Sequence, residues 1–152
     1  MKKYFLSICI LAVTISTSFA QKYEYKVVTS IESIIPGGIG RSRLIENNQS
    51  VNVNNLTTER TDGKKSRQNE VDRDDAKVDN LYETKLLNFY SFVGINFQNI
   101  ASNDAIIQAK LNQLSDEGWE LLTISSGVES DAGKDDNQGI FITRYILKRE
   151  KK

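Results

Sequence analysis

Polar and apolar residues alternate strictly in the first stretch after residue 21. In 22–33 one face carries tyrosine and β-branched residues, and the other is mainly charged or small. This two-residue period predicts a half-buried β-strand. A proline and three glycines in 35–40 indicate a turn. We therefore expect 41–46 to return as a second strand and 49–57, which alternates weakly, to form a short or edge strand.

The second half of the chain changes to a helical period. In 102–118, Ile107, Leu111 and Leu114 form an apolar stripe, helped by Ile106. Ser102, Asn103 and Asp104 are candidate caps for the start of this helix, and Gly118 is typical of the left-handed residue that ends one. The apolar patterns at 119–128 and 140–149 predict two strands. Because only a polar turn containing glycines joins them, we expect the two strands to pair.

The order of these elements predicts an α+β fold. Two hairpins that flank one main helix form a small two-layer sandwich, with an antiparallel sheet of about four strands and the helix packed on one face. We expect residues 21–152 to form one domain, since about 130 residues suit a single core.

Two segments interrupt this simple plan. Residues 57–80 carry six basic and seven acidic side chains, and so few apolar residues cannot offset the entropy of ordering the chain. We predict a mobile, solvated insertion there. Residues 81–97 are rich in aromatic side chains: Tyr82, Phe89, Tyr90 and Phe92. The spacing allows a short helix over the sheet or an aromatic segment lining a pocket, and exposure of these rings would indicate a ligand or partner surface.

The first twenty residues have the pattern of an export signal. Two lysines begin the chain, 4–13 is mostly apolar, and 18–20 has the small-x-small form of a cleavage site. Hydroxyl residues interrupt the apolar stretch too early for a spanning helix of about 20 residues. We expect cleavage after Ala20 and a periplasmic or secreted protein that does not span the membrane.

Composition narrows the chemistry that remains after residue 20. That part of the chain has no histidine and no cysteine, because the single cysteine is Cys9. Histidine-based acid–base catalysis, thiol catalysis and the usual zinc and copper sites are therefore excluded. The 18 basic and 20 acidic residues give a net charge of −2, which provides no electrostatic footprint for nucleic acid. We predict no cofactor and no catalytic residue.

Two weak candidate sites, a calcium site and an anion site, each have a simpler structural interpretation. Asp131, Asp135 and Asp136 offer oxygen ligands for calcium, but their spacing departs from the calcium-loop template and favours an acidic hairpin tip. Arg41 and Arg43 follow a glycine-rich turn and are placed to hold an anion. That turn lacks the lysine and hydroxyl of a phosphate-binding loop.

The stretch from Glu117 to Leu121, EGWEL, contains the only tryptophan of the chain. Glu117 and Glu120 are the pair of acids that a glycosidase-like mechanism would require, although they flank the predicted corner between helix and strand. Trp119 at that corner is either a ligand platform or the plug of a small core. We favour the plug, because large aromatic side chains dominate the packing of small cores.

Three segments together resemble a known family. The strand YEYKVV at 23–28, the motif EGWEL at 117–121 and the closing strand ITRYILKR at 142–149 are similar to the bacterial domain-of-unknown-function family 4177. Residues 85–97 resemble exported Bacteroidota-type members, whereas the long section 35–100 departs from the family pattern. The resemblance implies a small α+β domain in which Glu117, Gly118, Trp119, Glu120 and Leu121 are structural, with no established activity.

Three functional hypotheses follow. The first is a noncatalytic interaction or ligand-binding module of the cell envelope that uses the aromatic segment 82–92. The second is a carboxylate-based hydrolase of envelope polymers, and the third is a structural subunit that associates with itself through exposed strand edges. We favour the first, with an envelope protein or a small ligand as the partner.

Overall fold

The computed structural model describes residues 22–37, 42–129 and 139–151. Within them the chain forms seven strands and two α-helices, with single 3₁₀ turns at Val53–Leu56 and Gln68–Glu70. In chain order the elements are β1 (Tyr23–Ser33), β2 (Arg43–Asn47), α1 (Arg73–Ala76), β3 (Leu81–Lys85), β4 (Tyr90–Ser91), β5 (Gly94–Ile95), α2 (Phe97–Asp116), β6 (Glu120–Glu129) and β7 (Ile140–Glu150).

Five strands form one antiparallel sheet in the order β3-β2-β1-β7-β6. The first and last long strands lie side by side at its centre, paired from Tyr23 opposite Glu150 to Ser33 opposite Ile140. The β6–β7 hairpin is the one predicted. Because α2 lies between β3 and β6 in the chain, it connects the two opposite edges of the sheet. The α+β class is therefore confirmed.

Both ends of α2 are fixed by side-chain and backbone caps. The predicted start at 102–104 is wrong: the helix begins at Phe97, and the Asn96 side chain accepts a hydrogen bond from the backbone N–H of Asn99. The predicted end is confirmed, since Gly118 has φ +86°. The N–H groups of Gly118 and Trp119 bond to the carbonyls of Ser115 and Leu114, which is the Schellman pattern for closing a helix.

The core lies between α2 and one face of the sheet. Its buried apolar side chains are Val28, Leu44, Leu86, Leu114, Trp119 and Leu147, with Ile106, Ile107, Leu111 and Tyr145 packed against them. The predicted helical stripe is thus confirmed. Six polar residues are equally buried: Ser30, Ser33, Ser42, Glu46, Asn103 and Thr143. This interior needs internal hydrogen bonds as much as apolar contact.

The segment 81–97 does not form the helix that one reading of its spacing allowed. Leu81–Lys85 pairs with β2 and adds the fifth, unpredicted strand of the sheet. Tyr90–Ser91 and Gly94–Ile95 then form a separate small hairpin. Gly94 has φ +122°, a conformation that L-residues avoid, and this turn interrupts any helix through the segment.

The insertion between β2 and β3 forms only short local structure. The strand predicted at 49–57 is wrong, because Asn52 instead caps the 3₁₀ turn Val53–Leu56 with its side chain, a use for which asparagine is suited. The short helices bury no residue. The two ends of the insertion meet, since the N–H of Asn48 bonds to the carbonyl of Asn80 at 3.1 Å.

The predicted export signal lies outside the described residues. Among the residues that are described, no helix has both the length and the apolar character needed to cross a membrane.

Trp119 is 7% exposed, so removing its side chain tests whether it stabilises the core. We expect Trp119→Ala to lower the free energy of unfolding by about 3–5 kcal/mol, measured by urea denaturation. Phe92→Ala is the matched control, because Phe92 is 85% exposed, and we expect a loss of less than about 1 kcal/mol. Equal midpoints for Trp119→Ala and the parent protein would disprove the plug interpretation.

Candidate functional site

The β4–β5 hairpin and the first residue of α2 expose four large apolar side chains within six positions of the sequence. Phe92 and Val93, at the turn, are 85% and 99% exposed, Phe97 is 76% exposed, and Ile95 is about half exposed. We call Phe92, Val93, Ile95 and Phe97 the hairpin patch. Large exposed apolar side chains so near one another in sequence make this turn a candidate interaction surface.

Side chains of α2 hold the base of this hairpin in place. Asn103 accepts a hydrogen bond from the N–H of Leu87 at 2.7 Å and donates one to the carbonyl of the same residue at 2.8 Å. Asn99 donates to the carbonyl of Asn88 at 2.6 Å. Because Asn103 is fully buried and also donates to Glu32, the patch stands on a fixed support.

The predicted aromatic set divides into two parts. Phe89 and Tyr90, at the start of the hairpin, are half-buried, with their ring centroids 5.5 Å apart, while Phe92 is mostly exposed and its ring tip lies near Gly37. Tyr82 is separate, because it lies on β3 opposite Glu46 and its hydroxyl accepts a hydrogen bond from Asn48. The structure therefore brings two of the four predicted aromatic rings into contact, Phe89 and Tyr90.

The two candidate arginines do not form an anion site in the described part of the chain. Arg43 lies on the sheet face opposite the helix and forms an ion pair of 2.7 Å with Glu83 of the neighbouring strand. Arg41 lies outside the described residues.

The predicted acids lie in a different place, at the corner where α2 meets β6. A cleft of about 870 Å³ opens there, and both Glu117 and Glu120 line it. We call it the corner cleft; its other lining residues are Tyr23, Glu24, Asp116, Gly118, Arg149, Glu150 and Lys151. Glu120 pairs with Lys148 at 3.8 Å, and Glu117 accepts a hydrogen bond from Gln113 at 3.3 Å. Both acids are exposed, so their environment is that of solvated surface carboxylates.

Arg149 contacts three different groups at the corner cleft. Its guanidinium contacts the Glu24 carboxylate at 2.7 Å and donates to the carbonyl of Glu117 at 3.0 Å, where it also meets the negative end of the α2 dipole. The guanidinium carbon lies 4.3 Å from the centroid of the Trp119 ring, within range of a cation–π contact. The guanidinium of Arg149 is thus already engaged by the protein itself.

Trp119 also contacts a second cation, Lys26, which belongs to an ion-pair network around the buried Glu46. The Lys26 ammonium lies 5.2 Å from the ring centroid and 2.5 Å from the Glu46 carboxylate, which also pairs with Lys110 of α2 at 2.7 Å. Burial of the Glu46 carboxyl opposes its ionisation, but the hydrogen bonds and charges of Lys110 and Lys26 together outweigh this effect. The pKa of Glu46 therefore lies below its ordinary value.

The calcium candidates Asp131, Asp135 and Asp136 lie outside the described residues. In the ranges that are described, no three side chains of the metal-binding types come close enough together to hold an ion.

Sequence reasoning missed part of the hairpin patch. It also missed that Asn103 holds the base of the hairpin and that Glu46 pairs with Lys26 and Lys110. Ile95 and Phe97 belong to the patch, and Gly94 followed by Asn96 was the available signal, since these residues are typical of a turn and a helix cap. No local signal identified Asn103 or Glu46, because their partners are distant in sequence.

Comparisons of the chain with protein-family models, with curated proteins and with solved structures find no match.

Glu46 makes stability depend on pH in a defined direction. Since its folded-state pKa is lowered, its contribution is fully present above the ordinary value of 4.5 and is lost as the pH falls through the folded pKa. We expect Glu46→Gln to cost about 1.5–3 kcal/mol at pH 7 and progressively less below pH 4.5, measured by urea denaturation across the pH range.

The control for this experiment is Glu83→Gln, which removes an exposed ion pair with Arg43 and should cost less than about 1 kcal/mol. A Glu46→Gln deficit that stays constant from pH 7 to the acid limit would contradict the role of the charge.

Proposed function

We propose that this chain is an exported, noncatalytic interaction module of the cell envelope and that its hairpin patch binds a partner protein. The predicted signal in residues 1–20 supports export. The observation that carries the binding proposal is the exposure of Phe92 and Val93 at the turn of a hairpin whose base is hydrogen-bonded to α2, with exposed Phe97 at the start of that helix.

The fixed support is what distinguishes this patch from incidental surface apolarity. Ordering side chains and loops on binding reduces affinity, so a surface that is already held in place binds with a smaller entropic loss. Large aromatic side chains are also prominent among the residues that dominate interface energies. Phe92 and Phe97 provide such exposed aromatic side chains.

The corner cleft supports the hydrolase alternative less well. Acid–base catalysis by two carboxylates needs at least one acid in an apolar setting that raises its pKa. Glu117 and Glu120 are exposed and have hydrogen-bond or ion-pair partners on the surface. The cleft therefore offers charge but little exclusion of water.

A paired substitution tests the proposal directly. We expect Phe92→Ser with Val93→Ser to reduce recovery of the partner at least tenfold when the tagged full-length chain is expressed in its own cell, crosslinked, and purified from the envelope. Loss of Phe92 and Val93 removes the two most exposed apolar side chains of the hairpin patch. Partners are identified by mass spectrometry and compared with the parent chain.

Val51→Ser with Val53→Ser is the matched control, because both valines are exposed but lie on the insertion. It should recover the same partners as the parent. Unchanged thermal melting of both variants establishes that folding is intact. Equal recovery by the parent chain and by the hairpin variant would overturn the proposal.

A further inference from the structure

Strand β6 is an unprotected sheet edge. In the described ranges it pairs with β7 alone, and all ten of its residues are exposed. The helix-side residues Ile124 and Val128 are 51% and 62% exposed, because α2 does not cover this strand. An edge with unpaired N–H and C=O groups and apolar side chains is a template for another strand.

The two edges of the sheet differ in the features that prevent such pairing. β3 is only five residues long and carries Glu83 and Lys85, the first of them in an ion pair with Arg43. β6 is ten residues long, and its acids, Glu120 and Glu129, are confined to its two ends. Charges and short length are the usual protections of an edge, and β6 has neither between its ends.

The side-chain pattern of β6 is complementary to itself. Ile124, Ser126 and Val128 lie on the helix side, since they pair with Tyr145, Thr143 and Phe141 of β7. When two copies of β6 run antiparallel about Ser126, the register places Ile124 of one copy opposite Val128 of the other on both sides of the axis.

The apolar pattern favours this register, and the acids do not oppose it. Glu129 then lies opposite Thr123 of the second copy, and no two acids of the described strand oppose each other. A register centred on Ser125 instead places Ile124 opposite Ser126, and it places Val128 opposite Leu122, in the irregular part of the strand. The irregularity between Leu121 and Thr123 limits regular pairing to 123–129.

We propose that two copies of this chain associate through β6 in antiparallel register about Ser126, so that the two five-stranded sheets become one ten-stranded sheet. The inference is independent of the hairpin patch. Seven paired residues span about 23 Å and form a small interface, so the association should be reversible and concentration-dependent.

Cysteine crosslinking tests the register. The chain after residue 20 contains no cysteine, so Ser126→Cys introduces the only thiol of the processed protein. Mild oxidation of Ser126→Cys should give a disulfide-linked dimer in high yield, because Ser126 faces its own copy across the axis. Ser125→Cys is the matched control: it is the exposed neighbour on the other face and should crosslink at least tenfold less.

A charge exchange tests the contact itself. Ile124→Lys alone should convert the dimer to monomer in analytical ultracentrifugation, and the double variant Ile124→Lys with Val128→Glu should restore the dimer, since each introduced lysine then faces an introduced acid. Leu81→Lys on the opposite edge strand is the control and should leave the dimer unchanged.

A parent chain that stays monomeric at about 1 mM, where even an association with a Kd of about 1 mM is substantially populated, would overturn the proposal. Equal crosslinking of Ser125→Cys and Ser126→Cys would overturn the register. A monomer that binds a strand of another protein through β6 would assign the edge to that partner instead.

Discussion

One helix has to cover a sheet that is wider than itself. A helix with its side chains is about 10 Å across, whereas five strands at about 4.8 Å spacing occupy about 24 Å. In this protein α2 lies over Val28, Leu44 and Leu147 of the inner strands and leaves β6 exposed. The small core and the open edge both follow from this mismatch of widths.

A small apolar core places a larger share of the attachment on polar contacts. Asn103 links α2 to the base of the hairpin, and Lys110 links it to Glu46 on β2. Asn103 and Lys110 are seven residues apart, about two helical turns, so the two contacts hold the same face of α2 at two points along its axis. Buried amides and ion pairs demand specific geometry, so they fix the position of the helix on the sheet where apolar contact alone would allow it to slide.

The sequence predicted those elements whose signals are local. The alternation of 22–33, the stripe of α2 and the stop at Gly118 each arise within a few residues, and the α+β fold followed from their order. It did not predict β3, because the backbone of Leu81–Lys85 is stabilised by pairing with β2 across a long insertion. For the same reason, the aromatic content of 82–92 predicted a surface, but no local pattern predicted that the Asn103 side chain would bond to the backbone of Leu87.

The closure of the insertion at its base has a consequence for how this chain can evolve. Asn48 and Asn80 meet in one backbone hydrogen bond, and the Gln49 side chain accepts bonds from the N–H groups of Asp79 and Asn80. The end of the β2–β3 pair is therefore closed by its own hydrogen bonds. The length of the loop beyond these bonds does not determine how the two strands pair. Each doubling of a loop adds only about 0.6 kcal/mol of closure entropy. Descendants of this gene are free to lengthen, trim or replace that loop while inheriting the same scaffold.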